Sequence, residues 1–396
     1  MAEWIECSIG DLCNTISDTY KGNDEYVVLV NTSDVLEGKV LNHEPVVNKN
    51  LKGQFKKTFK KNDILYSEIR PANKRFAYID FENTSNYIAS TKLMVLRHND
   101  KVLPEYLFAL LKSNYVIAEL QHLAETRSGT FPQITFSSEL APMKVLLPDK
   151  DTQKRIVSVL SSIELKIDEN IAINNNLEQQ AMTLFKSWFI NYEPFDRQVP
   201  TTWKCGVLGD FVEIKRGGSP RPIQNFLSDS GLHWLKISDA TGISSPFINE
   251  IKEYIIEEGL KKTVFLKAGS LVLSNSATPG LPKILDIDTC IHDGWLYFPS
   301  SKFSNEYLYL YFKHIRDNLV ALGNGSVFTN LKTDILKNYP TNLPTDEVLN
   351  EFDEIIKPIF SLILSKTRES KRLTEIRDTL LPRLMSGELD VSDIDL

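Results

Sequence analysis

The chain has 396 residues, of which 42% are hydrophobic and 24% are charged. These proportions are typical of folded globular domains, and they exclude a disordered, collagen-like or disulfide-scaffold protein. At about 150 residues per domain, the length predicts two or three domains. The net charge is −7, and residues 346–396 carry most of it, with 7 Lys+Arg against 12 Asp+Glu. The remainder is nearly neutral, which leaves room for a basic face that binds nucleic acid.

The cysteines and the apolar runs indicate in which cellular compartment the protein is found. The four cysteines contain no CxxC pair, so we expect free thiols in a reducing compartment, without zinc or another metal. The N-terminus lacks the basic and apolar regions of a signal peptide, and no apolar run approaches ~18 residues. We therefore expect a cytoplasmic protein. The cysteines are Cys7, Cys13, Cys205 and Cys290.

Short apolar runs predict strands in the first part of the chain, and PEYLFALLKS predicts a helix with Pro104 at its start. The second part repeats this pattern. Because strands and helices do not alternate as βαβ units, we predict an α+β fold. The predicted strands are 26–30, 64–66, 92–96, 145–147, 271–273 and 295–298, and the predicted helices are 104–113 and 306–314.

The chain reads as a tandem repeat with an offset of about 200 residues. Trp4 matches Trp203, the Gly-Asp pair at 10–11 matches the pair at 209–210, and the Leu-Pro pair at 147–148 matches the pair at 343–344. Their common order over the whole chain indicates a duplication. We predict a first globular domain at 1–150 and a second at 199–345, with long helices at 151–192 and 346–388.

Both long helices carry a seam of apolar residues at alternating spacings of four and three, which is typical of a coiled coil. Since the first helix enters the second domain and the second helix leaves it, we expect an antiparallel pair. We expect Pro358 to kink the second helix or delay its start. Two amphipathic helices, each packed on its own domain, are the alternative. Polar seam residues that would fix the register are Asn170, Asn174, Lys366 and Ser370.

Enzyme motifs are missing from the sequence. It has no GxxxxGK[ST] phosphate loop and no Asn/Asp-Pro-Pro-aromatic motif of an adenine methyltransferase. Two acid-x-Lys triplets, at 164–166 and 250–252, lack a convincing upstream Asp, so we interpret them as chance. We interpret His292-Asp293 as a polar pair. None of these enzyme motifs identifies a catalytic residue.

Two basic segments could contact nucleic acid. Residues 49–61 contain six lysines, no acid and two phenylalanines, and residues 215–221 read KRGGSPR. A solvated loop and an ordinary glycine turn are the alternatives. The lysine run has no counterpart in the second half, so the two halves differ in these segments. The candidate DNA-binding residues are Lys52, Lys56, Lys57, Lys60, Lys61, Arg70, Lys74, Arg75, Arg127, Thr130, Lys215, Arg216, Gly217, Gly218, Ser219, Arg221, Lys236, Lys283, Asn324 and Ser326.

The sequence resembles the specificity subunit of Type I restriction–modification systems. The residues that carry the resemblance are Gly-Gly-Ser-Pro at 217–220, followed by Trp-Leu-Lys-Ile-Ser-Asp at 234–239, and the segment 373–388. The repeat extends the resemblance to the whole chain. The first half departs from the pattern, because residues 15–20 read TISDTY where the glycine loop would stand.

The resemblance implies two tandem target-recognition domains of mixed α/β structure, separated by two long antiparallel coiled-coil helices with pseudo-two-fold symmetry. Each domain would read one half of an asymmetric bipartite site on double-stranded DNA, and the helices would set the spacing and dock partners. The chain would have no catalytic residues of its own and would bind no cofactor. The partners would be two methyltransferase subunits that use S-adenosylmethionine and restriction–translocase subunits that use ATP and Mg, in a bacterial or archaeal cytoplasm.

Three other interpretations stay open at this point. The chain could be the specificity subunit of a related methylation-only or non-Type-I system. It could be a self-contained enzyme with an unrecognised active site, or a coiled-coil adaptor without DNA contacts. An adaptor predicts no salt-dependent DNA binding.

Overall fold

A computed structural model describes residues 4–49, 51, 53–127, 131–323 and 331–391. The chain divides into two structural units. Unit 1 consists of Met1–Leu165 together with Leu373–Leu396, and unit 2 is Lys166–Arg372. Unit 1 is therefore built from both ends of the chain. Each unit contains part of the two long helices, so its borders differ from the domain borders expected from the sequence.

The strands of unit 1 form two four-stranded sheets. One sheet has the order β2–β11–β8–β9 and is antiparallel throughout. The other has the order β6–β3–β10–β7, with β3 and β10 parallel. Separate pairs join β1 to β12 and β4 to β5. The strands are β1 (Trp4–Ser8), β2 (Cys13–Ile16), β3 (Tyr26–Val30), β4 (Val35–Leu36), β5 (Lys39–Val40), β6 (Pro45–Val47), β7 (Phe55–Lys57), β8 (Ile64–Ser67), β9 (Phe76–Tyr78), β10 (Tyr87–Ser90), β11 (Leu93–His98) and β12 (Lys144–Pro148).

Unit 2 contains two five-stranded sheets, in the orders β14–β23–β20–β21–β17 and β15–β18–β16–β22–β19. A separate pair joins β13 to β24. The strands are β13 (Lys204–Val207), β14 (Val212–Arg216), β15 (Leu227–Ser228), β16 (Leu232–Leu235), β17 (Phe247–Ile248), β18 (Tyr254–Ile255), β19 (Val264–Leu266), β20 (Leu271–Ser274), β21 (Pro282–Leu285), β22 (Thr289–Ile291), β23 (Trp295–Ser301) and β24 (Pro340–Leu343).

The strand orders of the two units correspond element by element. The sheet β2–β11–β8–β9 has the same order as β14–β23–β20–β21, and in the other sheets the parallel pair β3/β10 corresponds to β16/β22. The same turn follows β3 and β16. In it, Asp34 accepts the backbone N–H of Asn31 at 2.8 Å and Asp239 accepts that of Lys236 at 2.9 Å. The predicted duplication is confirmed at the level of topology.

Eight helices lie in the described part of the chain. The first short helix begins at Pro104, as predicted, and buries Tyr106, Leu107 and Leu110. The second long helix begins 12 residues before Pro358 and runs through it, so the expected delay of its start is wrong. The helices are α1 (Pro104–Leu111), α2 (Asn114–Arg127), α3 (Lys150–Phe189), α4 (Leu208–Phe211), α5 (Ile237–Thr241), α6 (Asn305–Gly323), α7 (Thr333–Lys337) and α8 (Asp346–Met385).

Within unit 2, α3 and α8 contact each other in antiparallel directions. The rings of Phe189 and Phe352 are 4.8 Å apart, and Asn174 Nδ2 donates to Thr367 Oγ1 at 3.2 Å. From the first contact to the second, α3 runs back from residue 189 to 174 while α8 runs forward from 352 to 367, so the two helices are antiparallel. Within unit 1, Ile156 of α3 belongs to the same buried core as Leu384 of α8.

In the described residues, no helix is long and apolar enough to cross a membrane. All four cysteines are free thiols. Burial raises the pKa of Cys13 to about 12 and that of Cys290 to about 11.

Candidate nucleic-acid interface

The glycine loop of unit 2 follows β14 and is held tightly against neighbouring backbone. Gly217 donates its N–H to Trp295 O at 2.9 Å. A Cβ at Gly217 would lie 2.3 Å from His292 O, and one at Gly218 would lie 2.9 Å from Lys262 O. The two glycines are needed because backbone passes closely on both sides.

Asp293 organises the side chains of this loop. Ser219 Oγ donates to Asp293 Oδ1 at 2.7 Å, and Arg221 Nη2 donates to Oδ2 at 3.3 Å. Arg216 Nε donates to the backbone oxygen of Asp293. The hydrogen bond from Ser219, with the two arginines and His292 nearby, lowers the pKa of Asp293. Arg216 and Arg221 are thus oriented, and partly neutralised, by one acid.

His292 forms the next part of the site. Burial lowers its pKa, and the N–H of Gly294 donates to His292 Nδ1 at 2.7 Å. An accepting Nδ1 places the proton of the neutral ring on Nε2. The ring lies 6.0 Å from that of buried Trp234. His292 is therefore a neutral, fixed group.

Ser219, Arg221, Trp234 and His292 line an open cleft of about 910 Å³ in unit 2. One wall is the glycine loop, another is the start of α5, and a third is the turn after β20. The floor includes Trp234 and His292. The turn contributes Ser276 and Ala277, and the start of α5 contributes Lys236. The cleft thus brings Ser219 and Pro220 of the Gly-Gly-Ser-Pro segment together with Trp234, Lys236 and Ser238 of the Trp-Leu-Lys-Ile-Ser-Asp segment.

The other predicted cations of unit 2 have partners. Lys236 forms an ion pair with Glu253, and Lys215 pairs with Glu213 at 2.8 Å. Lys283 is only 2% exposed, and its Nζ donates to the carbonyls of Ile243 and Ser245 at 2.6 and 2.5 Å. The prediction that Lys283 contacts DNA is wrong, because the ammonium is buried among backbone carbonyls.

The lysine run of unit 1 is only partly available to a ligand. Lys56 and Lys60 are exposed. Lys57 Nζ instead donates to Thr91 O at 3.0 Å and to Leu93 O at 2.8 Å, and burial lowers its pKa. Lys61 pairs with Glu82 at 2.6 Å. The prediction for Lys57 is corrected, since it stabilises its own unit.

The turn between β8 and β9, residues 68–75, carries three further candidates. Arg70 is exposed and has a left-handed backbone with φ 44°. Lys74 lies 3.5 Å from Glu37, and Arg75 Nη1 donates to Ser33 O at 3.0 Å. At the end of α2, Arg127 pairs with Glu139 at 3.1 Å.

Four candidates, Lys52, Thr130, Asn324 and Ser326, lie outside the described residues. Sequence reasoning missed Ser276 and Ala277, and it left Asp293 without a role. The signal for Asp293 was present in the Asp-Gly pair that precedes Trp295.

The predicted seam residues of α3 and α8 in unit 2 are partly or fully buried. Asn170 is 0% exposed, and Lys366 pairs with Glu369 on its own helix at 2.8 Å.

Comparison with known families decides the identity of this fold. The model of the family described as "Type I restriction modification DNA specificity domain" matches residues 1–179 and again 200–376. The chain belongs to this family. As a Type I specificity subunit it is the DNA-recognition, non-catalytic component of a restriction–modification complex that contains partner subunits. The two matched segments correspond to the two halves of the duplication.

Two relatives of this specificity subunit cover most of its length. It is 33% identical to the Type I restriction enzyme HindI specificity subunit of Haemophilus influenzae, over 98% of this chain and 100% of the relative. It is 26% identical to the MjaIX specificity subunit of Methanocaldococcus jannaschii, over 74% of this chain and 71% of the relative.

Its fold is similar to a solved structure of the same kind. The crystal structure of a Type I restriction–modification S subunit from M. genitalium matches with a TM-score of 0.55 and 14% identity, covering 97% of this chain and 96% of that chain.

Proposed function

We propose that each structural unit reads one half of an asymmetric, two-part DNA site. The observation that carries the proposal is the repetition of one two-sheet fold with different side chains at equivalent turns. The turn after β8 in unit 1 carries Arg70, whereas the equivalent turn after β20 in unit 2 carries Ala277. The segment after β14 in unit 2 carries Arg221, whereas the equivalent segment after β2 in unit 1, residues 17–25, has no arginine. Two similar frames with different polar groups fit two different half-sites.

The test is base-resolved mapping of methylated adenines in a methylation-free host that expresses the chain with its methyltransferase partner. We expect a single two-part motif whose methylation depends on this chain. If chain and methyltransferase are soluble and associated but no methylation depends on the chain, the proposal fails and an adaptor role is favoured.

We further propose that α3 and α8 set the distance between the half-sites. The antiparallel contacts between these helices inside unit 2, from Phe189–Phe352 to Asn174–Thr367, support a fixed register. A heptad inserted in each helix, after Asp168 and after Arg372, adds ~10 Å at 1.5 Å per residue. This length corresponds to about three base pairs of B-DNA.

The expected result of the paired insertion is an unchanged pair of half-sites with a spacer about three base pairs longer. The control is the same heptad inserted between Gln198 and Val199, outside both helices, which should leave the spacer unchanged. A spacer that stays the same in the paired variant would overturn the ruler proposal.

The partners follow from the family and from the helix surfaces. We infer that two methyltransferase subunits dock on the exposed parts of the helices, where Ile171, Ile355 and Leu362 are each 43% exposed in unit 2. S-adenosylmethionine would be bound by those subunits, and ATP and Mg by restriction–translocase subunits, with no cofactor on this chain.

Replacement of Ile171, Ile355 and Leu362 by Ser should abolish co-purification of the methyltransferase. Retained DNA binding by that variant would show that the recognition units are intact.

A further inference from the structure

The turns that follow β8 and β20 share one backbone frame. Residues 68–75 form the first turn, and residues 275–281 form the second. Ser67 donates its N–H to Arg75 O at 2.9 Å, and Ser274 donates to Leu281 O at 3.0 Å. Each turn is therefore closed by the same hydrogen bond across its base.

The same two places in each turn have left-handed backbone. Arg70 (φ 44°) corresponds to Ala277 (φ 57°), and Lys74 (φ 53°) corresponds to Gly280 (φ 75°). Left-handed geometry costs a non-glycine residue roughly 1–2 kcal/mol. Because three of these four residues are not glycine, the surrounding structure dictates the frame and the side chains are free to differ.

A third contact fixes the position of both turns. Ile134 donates its N–H to Glu68 O at 2.8 Å, and Leu331 donates to Asn275 O at 2.7 Å. In unit 2 the turn forms a wall of the cleft, with Ser276 and Ala277 lining it. By this correspondence, Arg70 stands at the place in unit 1 that Ala277 occupies on the cleft wall of unit 2.

Arg70 differs from the other candidate arginines in its contacts. Arg75 and Arg216 donate to backbone carbonyls, while Arg127 and Arg221 pair with acids. Within the described ranges, no acidic side chain pairs with Arg70, which is exposed.

The acid nearest to Arg70 in the sequence already has other partners. Glu68 accepts from Gln133 at 3.2 Å and lies 3.7 Å from Lys92. The guanidinium of Arg70 is thus held on a constrained backbone with its donors available to a ligand.

We propose that the turn after β8 is a base-reading element of unit 1, and that Arg70 reads a guanine in the half-site of that unit. Guanidinium can donate two parallel hydrogen bonds to O6 and N7 of guanine in the major groove. Ala277 offers no polar group, so the turn of unit 2 leaves that role to other walls of its cleft. This inference rests on the proposed recognition of one half-site by each unit.

The test compares wild type with Arg70→Ala, Arg70→Lys and Ala277→Arg by base-resolved methylation mapping. Alanine already adopts this conformation at Ala277, so Arg70→Ala should fold. We expect it to relax one position of the unit 1 half-site by roughly tenfold to a hundredfold, with the other half unchanged. Arg70→Lys keeps the charge but loses the paired hydrogen bonds, and should relax the same position. Ala277→Arg should add a preference at one position of the other half-site.

The outcomes separate the two proposals. Wild type without chain-dependent methylation overturns both. An unchanged motif in Arg70→Ala, with wild type active, overturns only the reading role. If Arg70→Ala decreases methylation by the same factor at all sequences, guanine reading is overturned and Arg70 is assigned a phosphate contact instead. The control is Lys154→Ala, which removes an exposed cation of unit 1 on α3 and should leave the motif unchanged.

Discussion

Thr367 on α8 accepts a hydrogen bond from Asn174 on α3 and lies 3.1 Å from Ser245 Oγ. Its own hydroxyl donates to Ile363 O at 2.8 Å, so Ser245 is the donor to Thr367. One hydroxyl therefore connects both helices to the globular part of unit 2. It stands in the polar section of the seam, where polar groups cost stability but restrict the register.

We predict that Thr367→Val destabilises unit 2 by about 1–2 kcal/mol, because Asn174 and Ser245 both lose their partner in a half-buried place. The urea midpoint of unfolding measures the effect. Thr379→Val is the matched control, since its hydroxyl donates only to Glu375 O on the same helix. Equal midpoints for the two variants would contradict the connecting role.

Lys283 gives a prediction about pH. Burial lowers its pKa to about 8 from the usual 10.5, and Glu178 opposes part of the shift. Between these two values the unfolded chain holds a proton that the folded chain has lost, so the contribution of Lys283 to stability rises with pH across this window. Below about pH 8 both states are protonated and the contribution is constant.

We expect Lys283→Met to remove that rise, which is at most about 3 kcal/mol. The measurement is the difference in free energy of unfolding between wild type and variant, at several pH values between about 7 and 10. Lys302→Met, at an exposed position, is the control. A difference that does not change with pH would show that burial does not perturb Lys283.

Gly217→Ala should disrupt the cleft of unit 2, because the new Cβ would meet His292 O at 2.3 Å. We expect a loss of more than about 2 kcal/mol in stability or a displaced loop, together with loss of the half-site read by unit 2. Methylation mapping and urea unfolding report these effects. Gly242→Ala is the control, since nothing lies within 4 Å of its Cβ position. Normal recognition by Gly217→Ala would mean that the loop tolerates the added volume.

Asp293→Asn should change how the cleft responds to salt. The amide can still accept from Ser219, but it no longer neutralises Arg221, which is 79% exposed. We expect tighter nonspecific DNA binding, with a steeper dependence of log K on log[salt] by about 0.9 per added phosphate contact. Binding titrations at graded salt test this, with Asp288→Asn, which faces Lys267, as the control. Identical slopes would contradict neutralisation by Asp293.

The regular elements could be predicted from local patterns. The strand predicted at 26–30 has the bounds Tyr26–Val30, and the predicted helix at 104–113 is α1. Apolar runs bounded by turns, and proline at a helix start, depend on residues close in sequence. The duplication was visible as well, because Trp4, Trp203 and their neighbours keep their order.

Side-chain roles at the candidate site depended on distant residues. Arg221 is held by Asp293, which lies 72 residues further along the chain. Lys283 lies on β21, where all four residues are buried. Period-two alternation cannot show that both faces of a strand are covered. Charge alone therefore selected several lysines and arginines that serve the fold.

Unit 1 consists of two segments that are separated in sequence by unit 2, and this arrangement affects folding during translation. Leu381, Leu384, Met385 and Val391 complete the core that contains Ile156 and Leu160. Unit 2 is continuous in sequence, so the ribosome finishes it before unit 1 has all its parts. The segment Met1–Leu165 is therefore synthesised first but completes its core only after residues 381–391 have been added. A stop codon after Arg372 would spare every residue of unit 2 and remove the segment that completes the core of unit 1.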